Sequence, residues 1–252
     1  MAQTQRSRPI LPLLALLIIG LVGADVVRRL IPDRKPDAPR PAADTTTMGG
    51  GTQPVLDTAA MSARRRARIR ELIDDDSANS YLVPTIAAAD STVRRWPDDR
   101  INHPLHVAIT RQSVDGFKED FVANVAWAVG QWDGIIPVHL DTGADSASAD
   151  IVVVWTRQLD SNRTGRTDLT WDRRGVIHHA VIVLATHSPD GRELNGARMS
   201  GLALHEIGHA IGLNHSPNRD DVLHPVAYAT ELSERDRRTA RLLYQLPIGS
   251  IR

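Results

Sequence analysis

The chain has 252 residues, of which 42% are hydrophobic and 24% charged, so its size suits one buried domain with appendages. Its 30 basic and 30 acidic side chains balance, which excludes a global field that would draw the protein onto nucleic acid or acidic lipid. Because cysteine is absent, disulfides, thiolate metal sites and cysteine nucleophiles are excluded, and any metal must be bound by His, Asp, Glu or backbone oxygen.

The first segment, residues 1–28, indicates a signal peptide or a membrane anchor. Arg6 and Arg8 precede an apolar run at 10–24, and further arginines follow it. The run is long for a signal peptide and short for a membrane span, so both interpretations stay open. Cleavage would make the protein secreted or periplasmic, whereas an uncut segment would anchor it in a membrane. In both cases the rest of the chain would lie outside the cytoplasm.

Two further segments precede the region of regular pattern. Residues 29–60 are rich in Pro, Gly and Thr, and we predict a disordered linker. Residues 61–94 predict a helical extension, with one helix at 61–76 and another at 85–95. The arginines of the first helix can pair with its Asp residues, which suggests a solvent-exposed helix. The balanced net charge argues against nucleic-acid binding by these arginines. The extension would act as a scaffold or as an inhibitory prosegment, and both alternatives stay open.

The chain after residue 95 has the pattern of an α/β unit. Predicted helices at 115–132 and 198–211 carry apolar residues at helical spacing. Residues 163–174 are polar, and we expect a loop or an exposed hairpin there. Predicted strands are rich in β-branched residues, and the run at 151–155 is apolar throughout, which is typical of a strand covered on both faces. The strands are expected at residues 105–110, 138–140, 151–155 and 176–185.

The segment HEIGHAIGLNHS, residues 205–216, carries the strongest chemical signal. His205 and His209 are four residues apart, so on a helix both imidazoles project from one face and can bind one zinc ion. Glu206 flanks that point, where a carboxylate can take a proton from a water that zinc has made acidic. Gly212 allows the helix to stop, and His215 can then become the third ligand. Three ligands leave one position open, as catalytic zinc requires.

This spacing, H-E-x-x-H-x-x-G-x-x-H, is the metzincin signature. Within that class the chain resembles the matrixins, a matrix-metalloproteinase-like family, and we expect a bacterial member. Ser216 follows the third histidine as in that family, and residues 232–244 are similar to its C-terminal helix. Residues 95–97 and 105–109 are similar to the start of its catalytic domain, so the resemblance covers approximately 95–246.

The resemblance implies an α+β, zincin-like catalytic domain over residues 95–252, with a twisted mixed sheet of about five strands and three main helices. It implies a zinc-dependent metalloendopeptidase in which His205, His209 and His215 bind one catalytic zinc ion and Glu206 is the general base. A protein or peptide substrate would add to the edge of the sheet as an extra strand. We expect a monomer that does not bind nucleic acid and that contacts a membrane only through an uncut N-terminal segment.

The chain departs from the matrixin pattern below the predicted zinc site. The family has Met-Tyr-Pro there, and this chain has Leu223, His224 and Pro225. Because Leu and Met have similar volumes, we expect Gly212, Leu223 and Pro225 to support an intact floor. The absence of cysteine also excludes inhibition by a propeptide cysteine. These differences motivate an alternative function, a catalytically weak zinc-binding module for interactions in the cell envelope.

Further metal sites have little support in the sequence. Carboxylate-rich segments at 141–150 and 220–221 could bind Ca²⁺, but neither fits an EF-hand loop, and we expect solvated turns. His178 and His179 are adjacent on a predicted strand and would point to opposite faces. We interpret these two, His187 and the loop residue His224 as ordinary histidines.

Overall fold

The β-branched runs of the sequence form one mixed sheet, and the amphipathic segments pack beside it as helices. The computed structural model describes residues 58–75, 78–111, 113–141, 146–160, 162–226 and 229–251. The predicted export segment and nearly all of the predicted linker lie outside these residues. No helix among the described residues has the length and apolar character needed to cross a membrane.

Helices and strands alternate through most of the described chain. The helices are α1 (Thr58–Asp75), α2 (Leu82–Ala88), α3 (Asp98–Ile101), α4 (Glu119–Asp133), α5 (Gly196–Ala210) and α6 (Glu234–Gln245). The strands are β1 (Thr92–Val93), β2 (Leu105–Ile109), β3 (Val138–Leu140), β4 (Ile151–Thr156), β5 (Gly165–Trp171), β6 (Ile177–Ala185) and β7 (Gly249–Ser250).

Five of these strands form a sheet in the order β3-β2-β4-β6-β5. The first four are parallel, and β5 runs antiparallel to β6 at the edge. Strand β4 lies in the middle, and Ile151, Val152 and Val153 are all buried, which confirms the prediction of a strand covered on both faces. The predicted α+β class with a mixed five-stranded sheet is therefore confirmed.

Strand β5 falls in the polar segment that was predicted as a loop or an exposed hairpin. It pairs with β6 from Gly165 to Trp171, so the hairpin alternative is correct. Along β5, partly buried Gly165, Thr167 and Leu169 alternate with exposed residues. A strand with one solvated face needs few apolar residues, and this explains its weak sequence signal.

The predicted helix at 85–95 is wrong in its position. Helix α2 ends at Ala88, because Asp90 and Ser91 adopt positive φ angles of 55° and 56°, which no α-helix permits. The chain then forms β1, which pairs antiparallel with β7. The β-branched side chains of Thr92 and Val93 favour this extended pairing over a longer helix.

Three other helices begin at residues different from those predicted, and α5 differs least, since it begins at Gly196 instead of residue 198. Helix α1 begins at Thr58, inside the predicted linker, and α4 begins at Glu119 because Gly116, with a φ of 74°, forms a turn before it. Ile69 and Ile73 of α1 are buried in the main hydrophobic core. The predicted N-terminal extension is therefore packed against the rest of the described domain.

Helix α5 is attached to its surroundings through its own backbone carbonyls. The indole nitrogen of Trp132, on α4, donates to the Leu204 carbonyl at 2.9 Å. The indole of Trp96 donates to the carbonyl of Ala210 and the hydroxyl of Tyr244 to that of Ile211, each at 2.9 Å. The bonds at Ala210 and Ile211 satisfy carbonyls at the end of the helix, which would otherwise lack partners, and all three bonds attach the helix to neighbouring parts of the domain.

Candidate metal centre

Helix α5 brings the first two histidines of the motif together. It begins after Asn195, whose side chain accepts a hydrogen bond from the Arg198 amide at 2.9 Å. His205 and His209 then lie on one face, as their spacing of four predicts. Their Nε2 atoms are 3.0 Å apart, and their ring centroids are 4.7 Å apart.

The third histidine arrives through a sharp turn at the end of α5. Gly212 has a φ of 101°, and a Cβ atom on it would lie 2.7 Å from the Arg94 carbonyl oxygen. Both the backbone angle and this contact require glycine at that position. The turn directs His215 back, so that its ring centroid lies 5.5 Å from that of His205 and 4.8 Å from that of His209.

The donor set fits a single zinc ion. One ligand nitrogen from each of His205, His209 and His215 can be chosen so that all lie within 4.8 Å of one another. Two nitrogens on one tetrahedral zinc ion, each at about 2.0–2.1 Å from it, are about 3.3 Å apart. The 3.0 Å separation of the first two Nε2 atoms is close to that value.

Hydrogen bonds at the opposite ring nitrogens orient two of the ligands. His205 Nδ1 donates to the Val222 carbonyl at 2.7 Å, and His209 Nδ1 donates to the Leu213 carbonyl at 2.9 Å. A carbonyl oxygen can only accept, so Nδ1 carries the proton in both rings. Each Nε2 then has a free lone pair for a metal ion, which is the usual arrangement for metal-binding histidine.

Burial keeps the imidazoles of His205 and His209 neutral. Desolvation lowers the pKa of His205 to about 4 and that of His209 to about 3. Desolvation also lowers the pKa of His215, and His224 adds to this effect. Neutral imidazole is the form that binds metal, so protons do not compete strongly with a metal ion at this site near neutral pH.

Glu206 is buried beside the edge strand of the sheet. Its Oε2 atom accepts a hydrogen bond from the Thr167 hydroxyl at 2.7 Å. Desolvation raises the pKa of Glu206 to about 7, although the Thr167 hydrogen bond opposes that rise. A Cβ atom on Gly165 would lie 2.3 Å from Glu206 Oε1, so the glycine leaves the space that the carboxyl group occupies.

Leu223, which stands where the family has methionine, lies in the loop after the three histidines. Leu223 is fully buried, and a Cβ atom on Gly208 would lie 2.6 Å from one of its methyl carbons. The Leu223 carbonyl accepts from the Ser216 amide at 2.8 Å, which ties the floor to the residue after the third histidine. His224 and Pro225 follow, and Pro225 is exposed.

The expectation of solvated turns is wrong for two of the acidic residues. Asp221 is fully buried, and its oxygens accept from Ser216, Ser233 and Arg235. Asp150 is also buried, and it pairs with Arg100. Each carboxylate is paired with an arginine, so neither is an uncompensated buried charge.

His178, His179 and His187 do not join the group of three histidines. His178 and His179 are neighbours on β6, the first exposed and the second half-buried. His187 is buried and its Nδ1 lies 2.9 Å from the Thr186 hydroxyl oxygen. Within the described parts of the chain, the group formed by His205, His209 and His215 is the only cluster of three or more such ligands suited to a metal ion.

A sequence model described as Matrixin matches residues 95–245. This chain belongs to the matrixin family. No curated protein matches the chain significantly. Matrixins are zinc-dependent metallopeptidases that act on proteins or peptides, and the three histidines of this matrixin are compatible with zinc binding.

Sequence reasoning missed several residues of the matrixin site. Thr167 sits in the segment with the weakest strand signal, and nothing in the sequence pairs it with Glu206. Asp221 and Asp236 are buried near the floor, although an acidic residue in a loop or on a helix normally suggests exposure. The capping box formed by Ser233 and Asp236 was a usable signal, because its spacing marks the start of α6.

Proposed function

We propose that this matrixin is an endopeptidase in which His205, His209 and His215 bind one catalytic zinc ion and Glu206 is the general base. The observation that supports this most is the convergence of three neutral imidazoles beside a buried carboxyl group. Three protein ligands leave a coordination position open for chemistry, whereas a structural zinc site would use four.

Glu206 is suited to move a proton near neutral pH. When bound, zinc supplies Lewis acidity, which makes water more acidic and polarises the scissile carbonyl. Thr167 holds Oε2, so we assign Oε1 as the atom that takes the proton from the attacking water. The same carboxyl group then donates that proton to the leaving amine nitrogen. Burial, which raises the pKa of Glu206, favours the protonated carboxyl group that the second transfer needs.

Strand β5 offers a place for the substrate backbone. It pairs with β6 on one side and forms the edge of the sheet on the other. Thr167 of this strand contacts Glu206, so a peptide added along its free edge would pass the catalytic group. We propose that the substrate adds there as an antiparallel strand, with specificity set by pockets for alternate side chains.

The deciding experiment compares the full chain with its Glu206→Gln variant. The wild-type protein should bind about one zinc ion and cleave casein, and a chelator should abolish cleavage. The variant should retain zinc and lose about 10²–10⁴-fold in kcat/KM, since it lacks the general base. Zinc content by mass spectrometry and peptide cleavage rates provide the two measurements.

Glu231→Gln is the matched control, because Glu231 is exposed and should leave activity unchanged. Full activity in Glu206→Gln would exclude Glu206 as the base. A zinc-loaded wild-type chain that leaves casein and gelatin intact would instead favour the alternative, a catalytically weak zinc-binding module of the cell envelope.

The sequence also supports a proposal for location. The apolar run at 10–24, between arginines, supports export with the catalytic domain outside the cytoplasm. Determination of the first residue of the mature protein tests this. A start near residue 25 would indicate secretion, and an intact N-terminus in a membrane fraction would indicate an anchor. An intact N-terminus in the soluble cytoplasmic fraction would contradict export.

A further inference from the structure

The segment 80–93 precedes the part of the chain that matches the matrixin family, yet it packs deeply into the domain. Tyr81 and Val93 are fully buried, and Thr85 is almost so. The Tyr81 amide donates to the Thr239 hydroxyl on α6 at 3.0 Å. Strand β1 pairs with β7 beyond the other end of the matched region. Each of these contacts joins the segment to parts of the chain far away in sequence.

A continuous set of hydrogen bonds connects this segment to the first histidine. The Tyr81 hydroxyl donates to Asp236 Oδ1 at 2.7 Å. Asp236 Oδ2 accepts from the Val222 amide at 2.9 Å. The carbonyl of the same residue, Val222, accepts from His205 Nδ1 at 2.7 Å. Tyr81, Asp236 and Val222 are fully buried, so water does not replace a lost partner easily.

We propose that Tyr81 is a positioning residue for the zinc ligand His205, and that segment 80–93 is a permanent part of the zinc-binding domain. The proposal rests on the zinc site proposed above. The Val222 carbonyl sets the orientation and tautomer of the His205 ring, and the carboxylate of Asp236 sets the position of Val222. The Tyr81 hydroxyl donates the hydrogen bond to the other oxygen of that carboxylate, Oδ1.

A second group of contacts argues against a removable prosegment. The Arg235 side chain donates to the carbonyls of Ala78 and Ser80 at 2.8 and 3.4 Å, while its Nε donates to the buried Asp221 at 3.1 Å. Release of the segment would remove the Ser80 carbonyl that accepts from Arg235 and the Tyr81 hydroxyl that donates to Asp236 Oδ1. The Asn214 amide, next to the third histidine, lies 3.4 Å from the Thr85 hydroxyl oxygen. The segment therefore supports the back of the site.

The test uses the full chain with Tyr81→Phe, which removes only the hydroxyl group. Thr110→Val is the matched control, because the Thr110 hydroxyl donates to the Val153 carbonyl within the sheet at 3.0 Å. Zinc affinity is measured by competition with a chromophoric chelator at fixed pH. The visible spectrum of the cobalt-loaded protein reports the arrangement of the metal ligands directly. A general loss of stability would not change this spectrum.

In Tyr81→Phe we expect zinc binding to weaken about three- to tenfold and the cobalt bands to shift. Removal of a direct partner of a ligand usually costs about 10–100-fold, and Tyr81 acts one step further away. Thr110→Val should match the wild type in both measurements. Unchanged affinity and spectrum in Tyr81→Phe would overturn the proposal, as would equal losses in the two variants.

Hydrogen exchange in the wild-type chain provides a second measurement that needs no variant. Addition of zinc should slow exchange at the amides of Tyr81 and Val222, since both belong to the connected network. Unchanged exchange at both would overturn the proposal. These readouts report binding only, so a wild-type chain that binds zinc but cleaves no peptide would contradict the proposed function and leave this inference standing.

Discussion

A single hydroxyl group joins the edge strand of the sheet to the proposed general base. Thr167 Oγ1 lies 2.7 Å from Glu206 Oε2 and 3.0 Å from the backbone oxygen of the same residue. The contact fixes the carboxyl group in rotation, and it favours the ionised form that can accept a proton. The proposed role of Glu206 as general base therefore depends on a residue of the strand proposed to bind substrate.

Thr167→Val keeps the shape of this side chain and removes its hydrogen bond. We expect kcat to fall by about tenfold or more, since a hydrogen bond to a charged group contributes about 1.5–3 kcal/mol. Zinc content should be unchanged, because Thr167 does not bond to any of the three histidines. Steady-state kinetics and metal analysis measure the two effects.

Thr170→Val is the control for this prediction, since Thr170 is exposed on the same strand. Both variants alter the strand in the same way, and only one reaches Glu206. Equal kcat values in the two variants would show that the hydroxyl of Thr167 has no part in positioning the base.

At the scale of elements, helix α5 and the loop beneath it form one packed unit. Leu223 fills the space left by the missing side chain of Gly208, and Trp132 lies on the same side, 3.0 Å from where a Cβ on Gly208 would be. The leucine that stands where the family has methionine is therefore buried and closely packed.

Two substitutions at Leu223 should distinguish the effect of side-chain volume from the effect of side-chain type. Leu223→Met should change the free energy of unfolding by less than about 1.5 kcal/mol and keep the peptidase active. Leu223→Ala should destabilise the zinc-loaded protein by about 2–5 kcal/mol, because it leaves a cavity under α5. Urea denaturation gives both values. Val226→Ala, at a side chain that is 52% exposed in the same loop, should have an effect within about 0.5 kcal/mol.

Helices, strands and sites that depend on residues close together in the sequence were predictable from it. The spacing of His205, His209 and His215 gave the ligand set, because helix geometry and one glycine bring them together. The position of β1 was harder to predict, since its pairing with the distant strand β7 decides it. Strand β5 was harder because its solvated face leaves few apolar residues. The bond between Tyr81 and Asp236 joins residues that no spacing rule relates, so only the folded structure could reveal it.

For the whole molecule, buried tyrosines should make stability depend on alkaline pH. Burial raises the pKa of Tyr81 well above its usual value, and its neighbours Asp236 and Asp221 add to this rise while Arg235 opposes it. Burial raises the pKa of Tyr244 as well. The folded state thus retains protons that the unfolded chain releases near pH 10, so stability is complete below about pH 10 and falls above it.

Each of these tyrosines should contribute a loss of up to about 1.4 kcal/mol per pH unit above that point. Tyr81→Phe removes one of the two groups and should make the slope correspondingly shallower, although the variant is less stable at neutral pH. Urea denaturation between pH 8.5 and 11 measures both slopes. Parallel curves for the two proteins would contradict the assignment of a raised pKa to Tyr81.

The pairing of β1 with β7 has a consequence for the time at which the enzyme becomes active. The His205 ligand is synthesised well before Asp236, and β7 is among the last described residues to emerge. A growing chain therefore cannot pair β1 with β7, or bond Tyr81 to Asp236, until residues 236–250 have emerged from the ribosome. We expect the proposed zinc site, and the activity that depends on it, to be completed only after that point.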